Sequence, residues 1–533
     1  MDVKRGALVA AILGSTVVAV DATVVNVALP AIADDLGGGL AGQQWVANAY
    51  LLTLSALILV SGSLADLYGE RRVFTLGVAG FGVTSLLCAL APTVELLVVA
   101  RALQGVSGAL LTPASLAIIV AVFPESERGA AIGSWTAWGG IGYLAGPLIG
   151  GQIVDFASWR WVFAINVPLV LVTLALARRY VPQARELSGE RRPRLDVVGA
   201  LLCATGLAGI SFGLIEQPVL GWGHPLVIGP LAGGVLLFTG FVLYERRIPA
   251  PMLPLALFRR RNFTVANVET FLMYGGMAVQ SFFLTLFLQQ LAGFSALEAG
   301  SAGLLPTVVM FLFSRRFGAL ADRYGPRWFL TVGPLLVAAG FLALLRLDET
   351  TSYAADLVPA LLLYSLGLAV TVSPLTATVL ADADEHDAGI ASAVNNAIAR
   401  TSALLATAAV GAVLAAFYAD RLDGSLAGRT LSPAAQAQVA AARDRALSPV
   451  DAAALPAADR AVVTTAVQDA GVSTFHLAAL IGAGMLVAAG LLGGLLLRNP
   501  RRATEAEHCP GGQLVGAPQE AGRRSVVPAR TPA

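Results

Sequence analysis

Lysine is all but missing from this chain of 533 residues: Lys4 is the only one, and every other basic side chain that carries a fixed charge is arginine. A phosphate-binding G-x4-GK[ST] loop needs a lysine after its second glycine, so ATP drive through such a loop is excluded. Histidine is scarce too. His224, His386, His476 and His508 are scattered, and no HExxH pair exists among them. Cysteine is limited to Cys88 and Cys203 in apolar runs and Cys509 in a polar stretch, a spacing that supports neither a disulfide framework nor a metal site. No nucleophile–base pattern and no cofactor motif is present, so the chain does not read as an enzyme. Charge itself is short. Only 13% of residues are charged, against about 25% in soluble domains, and a net charge of +1 argues against a nucleic-acid partner.

What is present is apolar: 56% of residues are hydrophobic and the mean hydropathy is +0.73. A membrane-spanning helix needs about 20 mostly apolar residues, because its backbone must pair within itself in lipid. Fourteen such spans are expected, at 7–29, 44–65, 73–92, 96–121, 129–153, 160–179, 197–216, 226–244, 264–291, 298–320, 328–346, 356–380, 389–417 and 473–497. Lys4 and Arg5 precede the first, but no small-residue cleavage site follows it, so it reads as a retained span rather than a signal peptide. The fold class expected is all-α and membrane-integral.

Arginine placement gives the orientation. With the N-terminus inside, the short inner loops and first residues hold 20 basic side chains and the short outer loops only Arg160 and Arg346. Both termini are then cytoplasmic in a bacterial inner membrane. Residues 418–472 read as an outer loop with short helices, and 499–533 as a disordered inner tail.

An internal repeat orders the spans. GSLADLYGERR at 62–72 returns as GALADRYGPR at 318–327, with Gly62, Asp66, Gly69 and Arg71 matched by Gly318, Asp322, Gly325 and Arg327. Each copy follows the second span of a six-span group. The expected organisation is a bundle at 1–182, an inserted pair with its linkers at 183–261, a second bundle from 262–417 completed by the last span at 473–498, the loop at 418–472 and the tail at 499–533.

These loops resemble motif A of the major facilitator superfamily, which implies two six-helix bundles rocking about a central site. The resemblance further implies that Gly62, Asp66, Gly69, Arg71, Arg72 and Arg128, with Gly318, Asp322, Gly325 and Arg327, form an inner gate. In that latch Asp66 would face the N-terminal end of a helix in the other bundle, where an anion is favoured. The fifth span, GSWTAWGGIGYLAGPLIGG, is similar to the superfamily's antiporter motif at Gly133, Gly142, Gly146, Pro147, Gly150 and Gly151. Its small residues offer a packing groove and its proline a kink. RALQGVSGA from Arg101 resembles motif B. DATVVNVALP from Asp21, SWRWVFAINVP at 158–168, PMLPLALFRRRNF at 251–263 and GFSALEAG at 293–300 resemble the fourteen-span drug:proton antiporter family 2.

Ionisable groups inside spans cost about 2.5–3.5 kcal/mol each on insertion scales and are functional candidates. Asp21, Arg101 and Glu269 are therefore expected to couple protons. A carboxylate between water and apolar surroundings can bind and release a proton, and an arginine beside it biases that exchange. The alternative for Asp21 is a structural carboxylate bonded to Thr23, Asn26 or an arginine. Asn26, Tyr50, Gln104, Trp138, Tyr274, Gln280, Phe283, Asn395 and Arg400 are the expected substrate cavity. The thirteenth span holds Asn395 and Asn396 and no acid, unlike relatives that export dications. The resemblance implies a proton-coupled exporter of amphipathic drugs, antibiotics or related small molecules, acting as a monomer in the lipid bilayer with no cofactor and no metal. Export of a single metabolite and a non-transporting membrane sensor are the alternatives.

Overall fold

The computed structural model describes residues 2–182, 196–249, 251–381, 388–443, 447, 450 and 455–499. Some side chains within these helices, Asp66 among them, lie outside the described set. The expected tail from 500 and most of the linker after 182 also lie outside it.

The elements run in order: α1 (Val3–Leu36), α2 (Gly39–Tyr68), α3 (Glu70–Ala89), α4 (Val94–Val122), α5 (Glu125–Phe156), α6 (Arg160–Tyr180), α7 (Val197–Leu220), α8 (Pro225–Glu245), α9 (Arg261–Gln290), α10 (Ala296–Tyr324), α11 (Phe329–Arg346), α12 (Tyr353–Ala381), α13 (Ala388–Leu426), α14 (Pro433–Arg443) and α15 (Ala457–Leu496). No strand occurs among the described residues. Twelve of these helices are long and apolar enough to cross a bilayer. The spans expected at 44–65 and 129–153 fall within α2 and α5, which are 30 and 32 residues long.

Helix ends follow local chemistry. Thr93 accepts from the Leu96 N–H at the start of α4, Asp196 accepts from the Gly199 N–H at the start of α7, and Ser295 and Glu298 form a reciprocal capping box opening α10. The repeated loops turn in the same way. Gly69 and Gly325 both sit at φ 87°, where a side chain would be strained, and each N–H returns to the carbonyl four residues earlier, Ala65 and Ala321. The sequence repeat is thus also a repeat of backbone shape.

Two ranges differ from expectation. α13 continues to Leu426 and α15 begins at Ala457, so regular helix covers both edges of the segment expected as a loop at 418–472. The added turns stay helical because they bury apolar side chains: Tyr418, Leu422, Val463 and Val467 join one core with α14 residues Ala435 and Val439.

α1 packs against α4, α5 and α6, and α2 against α4. α9 packs on α13 and α15, and α11 on α12 and α15. α7 and α8 are zipped together by glycine: a Cβ at Gly206, Gly209 or Gly213 would overlap α8 backbone at Phe238, Pro230 or Val227. α7 also packs on both α2 and α13, so this pair lies along the seam between the two groups of helices. There the Trp45 indole N–H donates to Glu216 at 2.7 Å, and Trp45 meets the Phe212 ring with centroids 5.8 Å apart.

Candidate functional site

α1, α4 and α6 bring their few polar side chains to one buried point. Arg101 Nη1 donates to Asp21 Oδ2 at 2.6 Å, and Arg101 also donates to the Gln104 side-chain oxygen at 2.7 Å and, through Nε, to the Val46 carbonyl at 3.2 Å. Gln104 Nε2 donates to Asp21 Oδ1 at 2.9 Å, and Asn166 Nδ2 donates to the same oxygen at 3.1 Å. Ser85 accepts from both amides. The guanidinium lies 4.3 Å from the Tyr50 ring centroid. Asp21 is 0% exposed and Arg101 2%. A buried ion pair is tolerable only when its remaining hydrogen-bonding capacity is met, and here the Gln104 and Asn166 amides, the Tyr50 ring and the Val46 carbonyl meet it.

Asp21 and Arg101, two of the three residues expected to couple protons, are therefore direct partners. Gln104, expected in the cavity, belongs to this cluster as well. Of the alternatives for Asp21, the arginine is its partner; Thr23 instead donates to the Ala19 and Val20 carbonyls. Asn166 and Ser85 were not singled out by sequence reasoning. Asn166 sits within SWRWVFAINVP and had that signal, whereas Ser85 lies in an uncharged run with none.

The glycine groove of α5 lies on the same stretch of α1. A Cβ at Gly142 would press on Thr16 and Ala19, at Gly146 on Thr23 and the Val20 carbonyl, and at Gly150 on Val24. Gly151 and Pro147 instead abut α10, where Leu297 and Gly300 touch them backbone to backbone. Gly133 faces open space and needs no close approach.

The second group of helices is built differently. Glu269 is 0% exposed and neither carboxyl oxygen has a hydrogen-bond partner. It faces Gly493 of α15 beside Leu330 of α11, away from α1–α6. Gln280 is 4% exposed with both amide atoms unpartnered. Asn395 donates to Asn267 at 3.0 Å and to the Thr270 hydroxyl at 2.8 Å. Arg400 has a buried, unpartnered Nε. Tyr274 lies within electrostatic reach of Arg400 and Tyr143, and Tyr50 within reach of Arg400. Asn26 is half-buried, Trp138 is half exposed, and Phe283 is fully buried against Phe282, so Phe283 belongs to the core rather than to an open wall.

The repeated loops after α2 and α10 lie at one end of the helices, the loop end. The hydrogen bonds described between α1–α6 and α9–α15 fall towards the opposite, far end. Gln44 Nε2 donates to the Thr407 carbonyl at 2.9 Å, and the Thr407 hydroxyl donates to Asn48 at 3.0 Å. Gln289 donates to the Val27 carbonyl at 3.1 Å. Asp155 accepts from the Ala296 and Leu297 N–H groups at 3.0 and 2.9 Å. Gly133 in the loop-end half of α5, and Gly139 and Gly140 at its middle, have nothing within 4 Å of a would-be Cβ. Among the gate residues, Arg71 donates to the Arg178 carbonyl at 2.7 Å, Arg128 to the Phe123 carbonyl at 3.0 Å and Arg327 to the Gly494 carbonyl at 2.7 Å, each within its own group of helices. The expected Asp66 contact lies outside the described side chains. Among the described residues no three His, Cys, Asp or Glu side chains gather as metal ligands.

The Major Facilitator Superfamily profile matches residues 11–408. The chain belongs to the Major Facilitator Superfamily. It is 36% identical over 440 residues to the tetracenomycin C resistance and export protein of Streptomyces glaucescens, covering 82% of this chain and 81% of that one. It is 38% identical over 449 residues to a puromycin resistance protein of Streptomyces alboniger, covering 80% and 87%. It is 33% identical over 407 residues to a multidrug efflux pump of Mycolicibacterium smegmatis, covering 76% and 80%. In fold it is similar to a bacterial homologue of the human lysosomal transporter Spinster, with a TM-score of 0.66 at 16% identity over 93% of this chain and 97% of that one. Membership of this superfamily and the many long apolar helices make it a multi-pass membrane transporter, not an enzyme.

Proposed function

We propose that this transporter exports amphipathic drugs, antibiotics or related small molecules in exchange for protons, as a monomer with fourteen spans arranged six, two and six. The loop end, rich in arginine, is cytoplasmic together with both termini, and the far end faces outward. The state described is then closed outside, through Gln44, Asn48, Thr407 and Asp155, and parted inside. The observation that carries the coupling is the buried Asp21–Arg101 pair with its neutral partners.

A proton on Asp21 removes one charge of the pair. Arg101 keeps three other ties, to Gln104, to the Val46 carbonyl and to the face of Tyr50. The last two belong to α2, the helix whose Gln44 and Asn48 close on α13. Protonation thus moves the hold on Arg101 from α1 towards α2, one turn from the outer closure. The α5 groove covers α1 at the level of Asp21 and keeps water from that point while the pair is made. The gate residues Asp66, Arg71, Arg72 and Arg128 with Asp322 and Arg327 close the inner side in the other half of the cycle. Glu269 serves as a second proton site in this reading. Each charge moved through 100 mV contributes about 2.3 kcal/mol, enough for more than a tenfold gradient.

Relatives whose names give a single antibiotic, such as tetracenomycin C, favour a second reading, export of one metabolite. Proteoliposomes with an imposed pH gradient test both. Uncoupler-sensitive transport of several unrelated drugs supports multidrug export, of one compound only the second reading, and of none would sink both.

A further inference from the structure

The middle of the molecule carries an odd cation. Asp21 and Arg101 satisfy each other. Glu216 is engaged by Trp45, and Glu269 is turned towards α11 and α15. Arg400 is left over: its Nε is buried without a partner, and it makes no described ion pair. Its position faces the other group of helices. Thr407, which meets Gln44 and Asn48, lies seven residues on, so the two share a face of α13 about 10 Å apart. Arg400 is thus two turns below the outer closure. Tyr50, whose buried hydroxyl also lacks a partner, lies within its electrostatic reach from the opposite wall, and Tyr274 from its own.

Counted together, this point holds two guanidinium groups and one carboxylate. Arg400 is half-buried, and a cation so placed with a buried, unused Nε is costly unless something anionic meets it. From this we infer that the transported molecule is an amphipathic organic anion, with a carboxylate, sulfonate or ionised phenol that binds Arg400 and the Tyr50 hydroxyl below the closure. The inference deepens the export reading and rests on it. It also fits the energetics of that reading, since an anion leaving and a proton entering both run with an inside-negative membrane potential.

The test is binding to the purified full chain in nanodiscs, using a naphthalene sulfonate dye, its neutral sulfonamide analogue and the cation ethidium. Wild type should bind the sulfonate more tightly than either of the others. Arg400→Gln should weaken the sulfonate about tenfold or more while leaving the neutral analogue within about twofold, and Arg400→Lys should keep most of the sulfonate affinity. Equal or tighter ethidium binding by wild type overturns the inference, as does sulfonate binding that Arg400→Gln leaves unchanged. Should Arg400→Gln fail to fold, the order of the three dyes on wild type and the Lys variant still decide. Drug-driven proton movement with cations alone would retain export and reject the anion; Arg400-dependent sulfonate binding without any transport would do the reverse.

Discussion

The two groups of helices, α1–α6 and α9–α15, differ in how they handle buried charge. In α1–α6 the central charges are paired, around Asp21, Arg101, Gln104 and Asn166, and what is left buried and unsatisfied is neutral: the Thr16 and Tyr50 hydroxyls, the Asn48 amide nitrogen and the Asn166 amide oxygen. In α9–α15 the carboxyl of Glu269, the amide of Gln280 and the Nε of Arg400 are buried and unsatisfied. A satisfied network specifies one arrangement, and unsatisfied groups favour a change of state or a ligand. In the proposed cycle the first group acts as the switch and the second as the receptor.

The largest effect should come from splitting the pair. Arg101→Leu strands the Asp21 carboxylate and should lower folding stability by about 3–5 kcal/mol, read by thermal unfolding in detergent, and abolish transport. Combining it with Asp21→Asn should restore most of the stability but none of the transport, since the coupling group is gone. Next in size is Asp155→Asn at the outer closure. It leaves one neutral hydrogen bond and sets an amide NH2 against the other backbone N–H, and should shift the population towards a state opened at the far end by about tenfold, measured as the distance between spin labels at the far ends of α5 and α10. Glu269→Gln should be smallest in stability. No ion pair is lost, so the unfolding midpoint should hold or rise, with a change within about 1 kcal/mol. A large loss there would mean that Glu269 has a counter-charge and that the two groups are not so different.

The contrast was only partly legible in the sequence. Span lengths, the repeat at Asp66 and Asp322, and the glycine spacing of α5 are properties of a single helix or turn, and one strand of text carries them. Asp21 and Arg101 could be marked because charges in apolar runs are conspicuous, but the sequence left Thr23, Asn26 and an unnamed arginine open as the partner of Asp21. Asn166, Ser85, Gln44, Thr407 and Asp155 were harder. Amides and hydroxyls are common in such helices, and what they do depends on which helix faces which, a matter of packing. The burial of Phe283 against Phe282 was hidden for the same reason: an aromatic side chain in a membrane helix reads alike in a wall and in a core. The extension of α13 and α15 past their apolar stretches was hidden because α14 supplies the apolar cover from elsewhere in the chain.

The central claim is that Asp21 carries the proton. Inverted membrane vesicles, acidified inside by respiration, report this through a pH-sensitive dye when a transported compound is added. Wild type should release protons on addition, and Asp21→Asn should not, although its purified form still binds the compound. Proton release by Asp21→Asn at the wild-type rate would contradict the account.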